Sequence, residues 1–334
     1  MNEKMKKIKY ISIIMIIAFM LTGCGNKAEK IAEQYCDILI KENYEDMLDI
    51  AYLPDSKFLT DKRKDEAKEI FAKKMKENKK TITTCTTTKS KEDDNKIYYK
   101  LTINDNDSLN IEVDKKTNKV YIDDLYEERS IESYSSSKVS VDGVELSNPS
   151  INDNMATYKF TAFKNVSYDI LATNPSLKDK KGDYKENYID MTYQNDSVID
   201  VSRFKDDFIK ELDDNIKPMF KEIALVGFNN GNKNTIKKYF IEENFEMLSN
   251  AFKNNWKDTY KSYTFKNLMD DPVKYRINSY INDTELKINV TIDYERETKC
   301  IVGLLCTDGI EKTYSVLTAT IKKDNNTWKI ANWE

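Results

Sequence analysis

Residues 312–333 read Lys-Thr-Tyr-Ser-Val-Leu-Thr-Ala-Thr-Ile-Lys-Lys-Asp-Asn-Asn-Thr-Trp-Lys-Ile-Ala-Asn-Trp. Lys312 to Lys322 and Thr327 to Trp333 have the spacing of strands, and Asp324-Asn325-Asn326 separates them. Working backwards, Tyr260 to Phe265, Val273 to Ile281 and Glu285 to Tyr294 read as further strands. Ahead of them, Phe204, Phe208, Leu212, Ile216, Phe220 and Ile223 recur at helical steps, with a kink expected at Pro218. Asn229 to Asn234 reads as a loop, and Ile236, Phe240, Leu248 and Phe252 are expected to continue the helical layer. Helices followed by an antiparallel sheet make residues 201–334 an α+β domain.

Residues 24–130 follow the same plan. Ala28, Ile31, Ala32, Tyr35, Ile38 and Leu39 mark an amphipathic helix, interrupted at Asn43 and at Pro54-Asp55-Ser56. A second helix follows Thr60-Asp61, with Ala67, Ile70, Phe71 and Met75 on its apolar face. The period then changes to two in Thr81 to Lys89, Lys96 to Ile103, Leu109 to Val113 and Lys119 to Leu125. The stretch between, 131–200, has no long helical period. Asp142-Gly143 is a two-residue hairpin signal, and Tyr158, Phe160, Phe163, Val166, Tyr168 and Ile170 keep strand-like spacing. Tyr188 to Tyr193 adds a further strand, so a small all-β domain is expected, entered by a Ser-rich linker at Ser133 to Ser137.

Composition removes several function classes. The chain of 334 residues contains no histidine, which rules out Ser-His-Asp and Cys-His catalysis and His-ligated zinc. Its net charge of −4 comes with both signs interleaved and no basic stripe, so nucleic acid is not an expected partner. One third of the residues are charged and 21 are Tyr, which leaves enough apolar material for packed cores. Abundant Lys, Asn, Ile and Tyr fit an AT-rich genome.

The N-terminus has three parts. Lys4, Lys6, Lys7 and Lys9 are followed by the apolar run Ile11 to Met20 and then by Leu21-Thr22-Gly23-Cys24. A basic, apolar, small-residue order is the layout of a secretory signal, and this run is short of the roughly 20 residues that span a bilayer. Leu-Thr-Gly-Cys resembles the lipobox of bacterial lipoproteins. That resemblance implies a signal peptide over 1–23 and lipidation of Cys24 with palmitate-type chains. It also implies a cell-membrane location on the extracytoplasmic, extracellular face and, with the composition, a Gram-positive source. More than one acyl chain gives stable anchoring. Of the four later cysteines, Cys36 and Cys85 lie in the first third and Cys300 and Cys306 near the end. An exported location permits disulfides, with Cys300–Cys306 the stronger candidate pair, and reduced buried thiols are the alternative.

Asn326-Thr327-Trp328-Lys329-Ile330 in the last segment and Asn118-Lys119-Val120-Tyr121-Ile122 in the first resemble the terminal strand of the fold named after nuclear transport factor 2. The expected architecture is therefore two nuclear-transport-factor-2-like modules flanking a small all-β domain, with boundaries at 24–130, 131–200 and 201–334. That order is similar to the extracellular part of the TcaA/YvbJ-type cell-envelope proteins, with a lipobox in place of their zinc ribbon and transmembrane helix. The resemblance implies an envelope-associated binding or sensing role and supplies no catalytic residues.

Candidate chemistry is sparse. Asp293 and Tyr294, with Tyr275, Tyr280 and Tyr314, are the residue types a cone-shaped pocket would use for base and oxyanion chemistry, but tyrosines at this spacing more often pack in a sheet. Glu92-Asp93-Asp94, Asp105-Asn106-Asp107 and Asp123-Asp124 lack the layout of a calcium loop. No catalytic residue, metal ligand or cofactor is assigned. Cys300-Ile301-Val302-Gly303-Leu304-Leu305-Cys306 is the most unusual stretch. A disulfide across its base would present Ile301, Val302, Leu304 and Leu305 as a partner loop, whereas a bulged strand, the favoured alternative, would bury them. The expectation is a non-enzymatic lipoprotein that binds a wall polymer or another exported protein. A small-molecule enzyme or carrier and a structural spacer are the alternatives, and homo-oligomerisation is left open.

Overall fold

The computed structural model describes residues 27–77, 81–193, 198–241, 251–301 and 306–333. Cys24, Leu248, Val302, Leu304 and Leu305 lie outside them. The protein is mixed α+β with antiparallel ladders, and it divides into two compact units. The first takes the chain up to Ser130 together with Lys159–Tyr168 and Asp183–Asn187; the second takes the remainder.

In the first unit, helix α1 (Lys27–Lys41) buries Ala28, Ala32, Tyr35, Cys36, Ile38 and Leu39 along one stripe, as three- and four-residue steps dictate. A short turn of helix, α2 (Met47–Ile50), precedes α3 (Asp61–Glu77). Strands β1 (Cys85–Glu92), β2 (Lys96–Ile103), β3 (Asp107–Asp114) and β4 (Val120–Tyr121) form a sheet in sequence order. Helix α1 lies on β1 and β3, and a disulfide joins Cys36 to Cys85 with their Cα atoms 5.4 Å apart. Closing a loop of that sequence separation, 49, removes about 4 kcal/mol of chain entropy from the unfolded state. Between α2 and α3, Asp49 accepts from Lys64 Nζ at 2.8 Å and Lys68 Nζ at 3.0 Å. Burial pushes the Asp49 carboxyl up, and the two lysines outweigh it and hold it below the usual carboxylate range.

A buried cation explains why residues 159–168 and 183–187 belong to this unit. Arg129 is fully buried. Its Nε pairs with Glu127 at 3.0 Å, and its two terminal nitrogens donate to the carbonyls of Tyr184 and Phe163, each at 3.1 Å. Its guanidinium sits 5.3 Å from the Tyr168 ring, and that of Arg63, on α3, sits 5.1 Å from the same ring. The Tyr168 hydroxyl donates to the Phe58 carbonyl at 3.1 Å. A charge taken out of water in this way is tolerated because each of its three nitrogens finds an acceptor and a ring lies beside it.

Strand β5 (Tyr126–Tyr134) runs through the expected boundary at 130. The Ser-rich run is therefore not a linker: Ser133 and Ser137 are buried, small enough to sit among packed strands. Next come β6 (Lys138–Val141) and β7 (Val144–Glu145), joined by Asp142-Gly143 with φ of 49° and 78°, the pair of positive values a two-residue hairpin turn requires. Strands β8 (Ser150–Asn152), β9 (Met155–Phe163), β10 (Tyr168–Thr173), β11 (Lys180–Tyr184) and β12 (Tyr188–Asp190) complete two four-stranded sheets, of order β11-β10-β6-β7 and β12-β5-β9-β8.

The rest of the second unit is a long helix on a long sheet. Helix α4 (Asp206–Phe228) contains Pro218 within its span, and a 3₁₀ turn covers Lys233–Tyr239. The sheet runs β13 (Asn255–Lys257), β14 (Lys261–Asn282), β15 (Glu285–Cys300), β16 (Gly309–Asp324) and β17 (Thr327–Trp333), in sequence order. Two expectations need correction. Phe240 is not helical; it is extended and bridges Ile330. The expected break between Phe265 and Val273 is an interruption inside one strand, with Leu268 opposite Tyr294 and Val273 opposite Ile292. Asp271 takes φ 43° there, ahead of Pro272, which has no amide to give the ladder.

Inside the second unit, a buried polar node joins residues 131–158 and 169–182 to this helix-and-sheet layer. Asn174 Oδ1 accepts from the Tyr280 hydroxyl at 3.0 Å and from the amides of Ser176 and Leu177 at 2.9 and 3.0 Å. Its Nδ2 donates to Ser136 Oγ at 3.0 Å and Ser137 Oγ at 2.9 Å, and its carbonyl accepts from Lys205 Nζ at 2.7 Å. Tyr134 packs edge-on against Tyr280 at 4.8 Å, and burial pushes its own hydroxyl up to about 12. Removing one amide here strands several buried partners at once, and each costs about 1–3 kcal/mol. Asn174→Ala is expected to lower the stability of the second unit by about 3 kcal/mol or more in urea unfolding, and Tyr280→Phe by about 1 kcal/mol. Equal, small effects of the two would contradict the node.

Candidate binding face

Alternation along β15 separates core from surface. Leu286, Ile288, Val290, Ile292 and Tyr294 are buried, and with Leu317, Ala319 and Ile321 of β16 they meet Phe208, Leu212, Ile216, Phe220, Ile223 and Phe228 of α4. The inner face is filled with aromatic rings: Phe228 stacks on Phe265 at 4.3 Å and touches Tyr294 at 4.6 Å and Phe252 at 5.1 Å.

The sequence candidates are thereby dispersed. Tyr294 is in the core, whereas Asp293 alternates to the outer face and pairs with Lys274 at 2.7 Å. Tyr275 turns inward and donates to Asp213 on α4 at 2.9 Å; burial first, and that carboxylate second, push its hydroxyl up. Tyr280 belongs to the Asn174 node, and Tyr314 is an exposed outer-face ring. Asp293 and Tyr275 line one groove, but the carboxylate of the first is held by Lys274 and the hydroxyl of the second by Asp213. The acidic clusters serve turns and ion pairs. Lys115 and then Lys89 hold Glu92 at about 2, Asp93 accepts from the amides of Lys96 and Asn95, and Asp124 pairs with Lys164. Among the described residues, no group of three or more Cys, Asp or Glu side chains is placed to hold a metal ion.

The outer face of the same sheet is a surface that sequence reasoning did not single out. Register sets its residues in rows: Arg276, Asn289 and Thr318; then Lys274, Thr291 and Val316; then Asp293 and Tyr314. The interruption in β14 leaves Asp293 without a partner on that side. There the face opens into a groove of about 380 Å³, lined by Lys274, Arg276, Asn289, Thr291, Asp293 and Val316, with Tyr275 also reaching it. Tyr314 and Val316 beside it are 64% and 56% exposed. The signal was present in the expected strands, since fixing which residues face the core also fixes which face away.

The far end of the sheet is built differently. Beyond Phe265 the inner face is covered by Trp256 on β13, which stacks on Tyr263 at 5.2 Å. The Arg296 guanidinium lies 3.9 Å from the Tyr263 ring and 5.2 Å from that of Trp256, and it pairs with Glu311. Strand β15 stops at Cys300 and β16 begins at Gly309, with Cys300 and Cys306 joined by a disulfide across a Cα separation of 5.8 Å. Ile301 is 52% exposed, so the bulged-strand alternative, in which it joins the core, does not hold for it. The remaining partner-loop residues, Val302, Leu304 and Leu305, are among those outside the described residues.

No protein-family model matches this chain, and no curated protein matches it. Among solved structures, an "Ntf2 like protein involved in plasmid conjugation" aligns at 8% identity over 91% of this chain and 96% of that one, with a TM-score of 0.23. A similarity of that size carries no argument about function. Among the described residues, no helix is long and apolar enough to cross a membrane.

Arg296 is expected to hold the far end of the sheet together. Arg296→Ala removes an ion pair and two ring contacts, for a loss of about 1–2 kcal/mol in unfolding and a red-shifted emission from the tryptophans, led by Trp256. An unchanged spectrum and midpoint would contradict that role.

Proposed function

We propose that this chain is a non-enzymatic lipoprotein, anchored through Cys24 at the outside of a cytoplasmic membrane, that binds a polymer of the cell wall. The anchor rests on Leu21-Thr22-Gly23-Cys24 and the basic and apolar segments before it. The observation that supports binding over catalysis is the filled interior of the second unit, where α4 and a cluster of rings occupy the space a cone-shaped pocket would need. What this unit offers a ligand is the outer face of its sheet, which carries exposed Tyr314 and Val316 beside amide, hydroxyl and charged side chains. Rings next to such polar groups suit the alternating apolar and hydroxylated surfaces of sugar and polyol chains.

The test is a pull-down of the soluble 26–334 chain with purified cell-wall sacculi, with and without their teichoic acid. Saturable binding in the micromolar range is expected. Absence of binding to either preparation at that concentration would overturn the wall-binding proposal and direct attention to an exported protein as partner.

A further inference from the structure

We infer that the outer-face groove of the second unit is a binding site for the phosphodiester of a polyol phosphate or sugar phosphate chain. This rests on the wall-binding proposal and names the chemistry of the polymer.

Some of the groove's polar groups already have partners. Lys274 is held by Asp293 at 2.7 Å, so those two charges largely cancel. Asn289 Oδ1 accepts from Thr318 Oγ1 at 2.9 Å, which fixes the amide and directs its NH₂ away from that bond. Arg276 is exposed, and its side chain makes no hydrogen bond, ion pair or ring contact. Thr291 likewise keeps its hydroxyl free, in the row between Lys274 and Val316. The unspent groups are thus a five-donor guanidinium, an amide NH₂ and a hydroxyl, gathered along one wall of the groove by the Arg276–Asn289 register.

A set made mostly of donors selects a ligand made of acceptors. Two cations against one carboxylate leave one uncompensated positive charge, which is the charge that a phosphodiester monoanion balances. A planar guanidinium takes two of its oxygens at once, which an ammonium does not. Val316 and Tyr314 next to these groups offer apolar surface to the carbon backbone between phosphates. The groove is open along the sheet rather than closed around a small molecule, and this suits a segment of a chain. A neutral glycan would leave Arg276 unused, and a basic partner would be repelled by it.

The test is a calorimetric titration of the soluble 26–334 chain with a synthetic glycerol phosphate hexamer, beside a neutral N-acetylglucosamine hexamer. Saturable binding of the phosphate oligomer is expected, with little or no response to the neutral one. Arg276→Gln should weaken it about tenfold or more, because a bidentate charge-assisted contact is lost. The exposed Arg276 side chain makes no hydrogen bond, ion pair or ring contact in the fold, so the variant should unfold near the native temperature. Lys210→Gln, an equal change of charge on helix α4, should stay within twofold. A native affinity retained in Arg276→Gln, an equal fall in both variants, or equal binding of the neutral hexamer would each overturn the site. The two proposals fail separately: sacculus binding that survives Arg276→Gln overturns the groove alone, whereas no sacculus binding by the native chain overturns the wall-binding role while the hexamer titration still judges the groove.

Discussion

Burial of one face of strand β15 is the constraint on which the second unit depends. A strand's side chains alternate, so Leu286, Ile288, Val290, Ile292 and Tyr294 enter the core together, and Asn289, Thr291 and Asp293 have no choice but to leave it. Register then carries the same division to β14 and β16, which fixes Lys274 and Arg276 on one flank and Val316 and Thr318 on the other. The helix α4 covers the apolar side only. Core and candidate binding face are therefore two consequences of one pattern, and a one-residue slip in β15 would destroy both.

Two polar nodes decide how the β-rich middle of the chain is divided. Arg129 collects residues 159–168 and 183–187 into the first unit through backbone carbonyls and the Tyr168 ring. Asn174 gathers Ser136, Ser137 and Tyr280 in the second. Each is expensive to bury and of use only when fully satisfied, so each specifies an arrangement that apolar packing alone leaves degenerate. A middle domain bounded at 131 and 200 was the expectation from sequence. The contact pattern instead follows these nodes, and β5 passes through the expected boundary.

What was legible in the sequence was what local physics controls. The period-two runs gave the strands, and Asp142-Gly143 gave its hairpin because positive φ at two successive positions demands such residues. The break in β14 was misread because Asp-Asp-Pro looks like a loop from sequence alone, and only the partner strand shows that the ladder resumes at Val273. Phe240 was misread because its four-residue spacing from Ile236 fits a helix as well as a turn followed by a bridge. Asn174 and Arg129 carried no signal, since a lone polar residue looks the same in solvent as at the centre of a network. The groove was half legible: its residues lay in expected strands, but the gap opposite Asp293 that opens it is a matter of register.

The measurement that tests the central claim most directly is hydroxyl-radical footprinting of the 26–334 chain with and without bound sacculi free of other protein. Tyr314 and Val316 are exposed in the free chain and should be oxidised readily there. The polymer is expected to protect both, while Leu225 on α4 and Ile301 beside the Cys300–Cys306 disulfide react as before. Protection at Ile301 or on the helix, with Tyr314 and Val316 unchanged, would contradict it and move the binding face elsewhere.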